Sequence, residues 1–465
     1  MGRGALGDPS TGERVRRRSP TVLSAVLLAA GVAAALTLPV VSRTPSSGAP
    51  GDVTSGTWFC PHGGGEGWSV QLEVANPSDE PVPIRVTTFD GDGKSRSEDR
   101  TVPGGSTVSV DVEAGSASTS STVEYFGAWV AAGWVTTAGG AQAGVAAEPC
   151  ADRTASRWYL PDMSTVEGED DSIILSNPFA ADAVFSVTLL TPGREPTRTD
   201  ALTNVLLRAR HTTAVRLRKT LLGEATVSAI VDVSVGRIAA ATLDVTGTTG
   251  IRSAIGYAGS LEEPVVLPGA LGTGAGDLVT MIPGTEGVAL AASLLGTGPA
   301  QPVAGLAEAA PTGGSARAFP VSAAEASAIV FDSPGVALAR RTSGERDAGS
   351  LIGGTPAPGW ILLPTVTGPP FSIGIAIANP GDESVTVVVT ALGPGPTPIT
   401  LPIAPKQVIL VPAAFADLAG SVAVMVVASS GEVVVGGGSS SGGRAGNAAY
   451  ATALGVRIPE AWLPA

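Results

Sequence analysis

Histidine is almost missing from this chain of 465 residues; there are two, His62 and His211. Ser or Cys nucleophiles need a positioned base, most often His, so most hydrolase constellations lack a member. Cysteine is as scarce, with only Cys60 and Cys150. No CxxC or Cys/His spacing exists, so structural zinc sites are excluded. Only three lysines occur, Lys94, Lys219 and Lys406, and all basic residues together number 28 against 41 acidic ones. An acidic chain repels phosphate backbones, which speaks against a nucleic-acid partner. Helix-favouring Lys and Glu are sparse, whereas 61 Gly and 37 Pro punctuate the chain. That mixture predicts many short strands joined by tight turns.

Charge is also unevenly spread. Residues 1–43 hold six Arg and two acids, leaving a body with a net charge of about −17. After "RVRRRSP" the chain runs from Val22 to Val41 without a charged residue. The length fits a membrane span with the Arg cluster held in the cytoplasm. A cleaved signal peptide is the alternative, with small residues at Ala33–Ala35 for a peptidase. The expected layout is a basic tail over 1–20, an anchor or signal over 21–42, a linker over 43–56 and an exported body. Cys60 and Cys150 suit that compartment. They flank the first repeat, and a disulfide closing this 90-residue loop would contribute up to ~4 kcal/mol.

The body repeats one phrase four times, "TWFCPH", "RWYLPD", "PVVLPG" and "WILLPT", whose prolines are Pro61, Pro161, Pro268 and Pro364. A second landmark follows each: "VANPSDEPV", "LSNPFAADAV", "MIPGTEGV" and "IANPGDESV". Constant spacing between the two landmarks marks an internal repeat. In each unit a short strand is expected to end at the first proline. A strand closed by Asn76, Asn177 or Asn379 is then expected to form a hairpin with the next, and a further hairpin to close the unit. The third unit lacks both the aromatic and the Asn. Six to eight strands per unit predict tandem immunoglobulin-like β-sandwiches over 57–150, 157–260, 261–355 (degenerate) and 358–465, arranged as a linear array. A β-propeller-like arrangement is the alternative.

Stretches such as "RWYLPDMST", "IILSNPFAADAVFSVTLLT" and "ATVSAIVDVSVGRIAAA" resemble the secreted actinobacterial proteins grouped as domain of unknown function 5719. The resemblance runs over roughly residues 55–455. It implies export and a shared repeat, with no catalytic residues to carry over.

His62 stands in a loop before "GGGEG" without a second His beside it. His211 opens a strand where the other units have Ser106, Ala316 and Gln407, as a surface filler would. The acids Asp90, Asp92, Glu98 and Asp99, and Glu167, Glu169, Asp170 and Asp171, are too few in each run for Ca²⁺ and read as a tight turn and a solvated loop. "GTGAG" (272–276) has the glycines of a phosphate loop but no Lys-Ser/Thr after it. Trp58, Trp158 and Trp360 recur with the repeat and are expected to pack. Trp68, Trp129 and Trp134 belong to the first unit alone and form the candidate ligand surface for a glycan. No metal, cofactor or catalytic residue is assigned. The expected function is a non-enzymatic structural or interaction protein of the bacterial envelope, its partners being the membrane and envelope proteins. A wall-glycan binder is the alternative.

Overall fold

The computed structural model describes residues 55–463 apart from 140–142, 247–249, 262–263, 271–276, 284–290, 304–314, 322–325, 333–334, 344–347, 364–370, 416–417, 419–421 and 442–449. The expected membrane segment over 21–42, the "GTGAG" run and Pro364 lie outside these residues. Among the described residues no helix is long and apolar enough to cross a membrane.

The first repeat shows how the chain is used. Its strands are β1 (Ser55–Cys60), β2 (Ser69–Asn76), β3 (Val82–Phe89), β4 (Ser95–Val102), β5 (Ser106–Val112), β6 (Ser120–Phe126), β7 (Ala131–Ala138) and β8 (Gly144–Pro149). They form two antiparallel sheets, in the orders β1-β6-β3-β4 and β5-β2-β7-β8. The same two orders recur in the second, third and fourth repeats, with one short extra strand added in the second and fourth. The third repeat keeps this topology despite its eroded sequence motifs, around a separate core that includes Leu267, Phe319 and Phe331.

Neither expected hairpin forms. The strands on either side of the Asn-Pro turn, β2 and β3, belong to different sheets, and so do β6 and β7. Both connections are arches that carry the chain across the sandwich. A proline straight after Asn76 removes an N–H that a ladder would need. The Asn side chain pins the turn to a different loop instead. True hairpins join β3 to β4 and β7 to β8. Because β1 and β2 lie in different sheets, the order is not that of an immunoglobulin domain, whose first two strands share one.

The larger correction concerns how the repeats associate. The strand β8 packs against both Gly250–Ile255 and Tyr450–Leu454, and Ala348–Ile352 packs against the same two. These are the edge strands of the second sheet in each of the four repeats, and they close a ring. The array is therefore not linear. Around the ring, the first sheet of each repeat meets the second sheet of the next. Arg157–Met163 lies against Asp277–Pro283 and Val336–Ser343, and Val265–Ala270 lies against Phe371–Asn379 and Val434–Ser441. Covering both faces of a sheet explains strands that are buried throughout, such as Ser172–Asn177, because alternation is needed only where one face meets water.

Each seam has its own chemistry. Between repeats one and two, the Ser120 hydroxyl meets those of Ser176 and Thr212 at 2.7 and 2.6 Å. Between two and three, the Tyr257 hydroxyl donates to the Leu338 carbonyl at 2.5 Å and accepts the Gly353 N–H at 2.6 Å. Between three and four, the Pro268 ring fills the space beside Gly436, where a Cβ would come within 2.6 Å of it. The seam between repeats four and one is closed by Thr107, whose hydroxyl donates to the Leu392 carbonyl and accepts the Ala423 N–H, both at 3.0 Å.

Candidate functional site

The repeated tryptophans are core residues. Trp58, Trp158 and Trp360 are buried and donate their indole N–H to the carbonyls of Val130, Ile238 and Val433 at 2.7, 2.9 and 2.6 Å. This shared bond aligns the repeats on tryptophan. By that alignment Leu363, not Pro364, corresponds to Pro61 and Pro161. Nor does proline end the strand everywhere. It follows β1 in the first repeat, but Pro161 and Pro268 lie inside Arg157–Met163 and Val265–Ala270.

Asn76, Asn177 and Asn379 act as identical locks. The Nδ2 of Asn177 donates to the carbonyls of Ala181, Leu207 and Arg208, while its Oδ1 accepts the Phe179 N–H. Asn76 and Asn379 make the equivalent bonds. A residue with positive φ completes each lock: Gly105, Arg210 or Lys406, whose N–H donates back to Ser78, Phe179 or Gly381.

Cys60 and Cys150 form a disulfide that ties the end of β1 to the residue after β8. The candidate ligand surface is not assembled. Trp129 and Trp134 are buried, Trp129 edge-on against Trp58 at 6.2 Å, and Trp68 is half-buried against the seam with Ile251. Core packing claims Trp134 because β7 is buried on both faces along most of its length.

His62 is buried, with Nε2 3.0 Å from the Ser121 hydroxyl and Nδ1 against the Gly63 carbonyl. Burial lowers its pKa to about 4, against which the Gly63 bond works. It is a neutral structural group, donating from Nδ1 and accepting at Nε2. The Nδ1 of His211 donates to the Ala209 carbonyl at 2.7 Å, and its ring lies under Gly93 of the "DGDG" turn. In that turn the Asp90 carboxylate accepts the N–H groups of Asp92 and Lys94, an Asx arrangement that fits the turn reading. Glu98 pairs with Arg100, and Asp99 holds Arg85 with two bonds.

The second acidic run is not simply a solvated loop. Asp171 is buried, and with Glu169 and Asp244 it surrounds Arg252, whose guanidinium lies 3.6, 3.9 and 2.9 Å from the three carboxylates. Asp162 sits at a bulge with a positive φ of 67° and bridges the seam to Arg341 at 2.7 Å. Burial raises Asp171 well above the usual carboxylate range, with Asp244 repelling and Arg252 opposing. Burial likewise raises Asp244 to about 6, against the pull of Arg252. The cation in this cluster is arginine. Among the described residues no group of three or more His, Cys, Asp or Glu could hold a metal ion. Asp162, Asp244, Arg252 and Arg341 were missed from sequence, although a charge inside the apolar strands "ATLDVT" and "GIRSAI" is the signal that could have found the middle two.

Glu148, on β8, was also missed. It is buried, its carboxyl meets the Ile255 N–H at 3.4 Å, and its Oε1 has no hydrogen-bond partner. Burial raises its pKa well above 4.5, the Ile255 bond only partly opposing. A carboxyl whose folded pKa is raised stabilises fully below its unfolded pKa and loses that contribution as pH rises. Glu148→Gln is therefore expected to leave the melting temperature unchanged near pH 4 and to raise it at pH 8. A melting temperature that falls equally at both values would contradict a neutral Glu148.

Where the linkers between repeats converge there is a hollow of about 610 Å³, bordered by Trp58, Trp158 and Trp360. Its charged groups already have partners, Asp152 with Arg153 and Arg457 with Thr355. The molecule is thus an all-β repeat protein whose most perturbed titratable groups are sealed inside.

Residues 123–352 match the model of a family described as a family of unknown function (DUF5719). The match begins inside β6 and ends at the last sheet strand of the third repeat. No curated protein matches the chain. Among solved structures, it is similar to a tetra-tandem repeat from the extending region of a large adhesion protein, at 11% identity and a TM-score of 0.11, covering 83% of this chain and 93% of that one. It is also similar to the native conformation of Escherichia coli α2-macroglobulin, at 10% identity and a TM-score of 0.14, covering 85% of this chain and 30% of that one. Neither likeness is close enough to carry an argument.

Proposed function

We propose that the protein is a non-enzymatic interaction scaffold of the bacterial cell envelope. It is held to the membrane through residues 21–42 with its body outside the cytoplasm. The observation that carries the non-enzymatic reading is that His62, Glu148, Asp171 and Asp244 all lie sealed in the body, where no substrate reaches them. The disulfide supports an oxidising compartment. A closed ring supports a display role, since it fixes the surface loops of four repeats relative to one another.

The test is fractionation of cells producing the full chain. The chain is expected to stay with membranes through an alkaline wash and to be cut by protease added to cells stripped of their outer layers. A soluble, N-terminally trimmed product, or a body protected from external protease, would overturn the reading.

A further inference from the structure

Three repeats carry the asparagine lock, so each is a control for the others. The residue whose N–H the Asn accepts is Ser78 in the first repeat and Gly381 in the fourth, but Phe179 in the second. The positive-φ residue is Gly105 in the first, Lys406 in the fourth and Arg210 in the second. Glycine adopts that conformation without strain. Lys406 is strained, but its ammonium bonds the Pro380 carbonyl at 2.6 Å and Asp382 at 3.2 Å. Arg210 holds the same strained backbone, at φ 55°, while its exposed guanidinium makes no hydrogen bond or ion pair among the described residues. The Arg210 backbone is held by its N–H bond to the Phe179 carbonyl, so what sets this repeat apart is a guanidinium left to solvent at a fixed place.

Both departures face one groove. Phe179 is 37% exposed, its ring 6.4 Å from that of the half-buried Phe59, with Arg237 over it at 5.8 Å. The turn stands at the edge of the outer face of β1-β6-β3-β4. Across that face the register sets two rows, Thr57-Glu124-Arg85-Asp99 and Phe59-Thr122-Thr87-Ser97. Together they enclose a groove of about 370 Å³, formed where the seam between the first two repeats brings the second repeat's turn to the first repeat's sheet.

The groove offers an aromatic wall, a row of hydroxyls, a carboxylate and an uncompensated guanidinium. A pyranose presents an apolar face for the aromatic ring and a rim of hydroxyls for Thr and Glu side chains. The guanidinium additionally calls for an anion that it can grip with two bonds. We propose that the groove between the first and second repeats binds an acidic oligosaccharide, a uronate-type pyranose packing on Phe179 with its carboxylate on Arg210. This rests on the interaction-scaffold reading and supplies its ligand. It also moves the glycan surface away from the buried Trp129 and Trp134.

The experiment is calorimetric titration of the detergent-solubilised full chain with hyaluronan hexasaccharide, neutral chitohexaose and a hexaglutamate peptide. Saturable binding of the hyaluronan hexasaccharide is expected, at least about tenfold tighter than either of the others. Phe179→Ser and Arg210→Gly install the residues of the first repeat, so each is expected to weaken binding about tenfold or more without lowering the melting temperature. Absence of saturable binding, equal affinity for chitohexaose, or binding untouched by both substitutions would overturn the proposal. Hexaglutamate binding as tightly would make it a peptide site and overturn the glycan assignment. None of these outcomes alters the fractionation result, so the two readings can fail separately.

Discussion

Arg252→Ala is expected to lower stability by about 3–5 kcal/mol at pH 8, because it leaves buried carboxylates without their cation. Asp171 and Asp244 are buried, and each already carries an oxygen with no hydrogen-bond partner. The remedy left to them is to take up protons, so the deficit should shrink on acidification. Urea unfolding of the variant and the parent at pH 5 and pH 8 measures this. An equal deficit at both values would mean that Arg252 acts by packing alone. The parent has a pH signature of its own. Asp244, raised from 3.8 to about 6, contributes its full stabilisation below about pH 4 and loses it as pH rises through 6. Replacing the ionic pair whole, as Asp244→Asn with Arg252→Met, should recover part of the loss, since a buried pair is less costly to exchange than to break.

Trp158→Ala is expected to cost a similar amount, about 3–5 kcal/mol. Its side chain is fully buried beside Leu160, Val231 and Ile238, and removing it also strands the Ile238 carbonyl that accepts the indole N–H. Trp158→Phe separates the two effects, since it keeps most of the apolar volume while losing the bond, at about 1–3 kcal/mol for the orphaned carbonyl. Denaturant midpoints of both variants test this. A loss below about 1 kcal/mol for the alanine variant would show that the third repeat, which has no tryptophan at this place, represents the real requirement.

Composition and spacing revealed the all-β class, the fourfold repeat, the disulfide and the packing role of Trp58, Trp158 and Trp360. Each depends on local pattern or on a recurrence that can be counted. The arches were misread as hairpins because an Asn-Pro turn looks the same whether its strands pair or part. What separates the two is a bond from Asn177 to Leu207 and Arg208, about thirty residues away. Ring closure did leave a trace. Consecutive apolar residues, such as the Ile173-Ile174-Leu175 run in "SIILSN", imply cover on both faces, which sandwiches strung in a line would not provide. The buried ionic cluster was hidden for a different reason. Asp162 and Arg341 are 179 residues apart, and only the seam brings them together. The groove at Phe179 and Arg210 could have been noticed as two breaks in the repeat, but the sheet they face belongs to another unit.

The ring also imposes an order in time. The strand Gly144–Pro149 rests on Tyr450–Leu454, so one flank of the first repeat has no partner until about 300 further residues have been made. At synthesis rates of about 5–20 residues per second that interval is roughly 15–60 seconds. Throughout it Val145 and Ala147, which finally pack on Ala451, face solvent or whatever holds the nascent chain. The early disulfide between Cys60 and Cys150 can form within that interval, because both cysteines are present long before the last strand arrives.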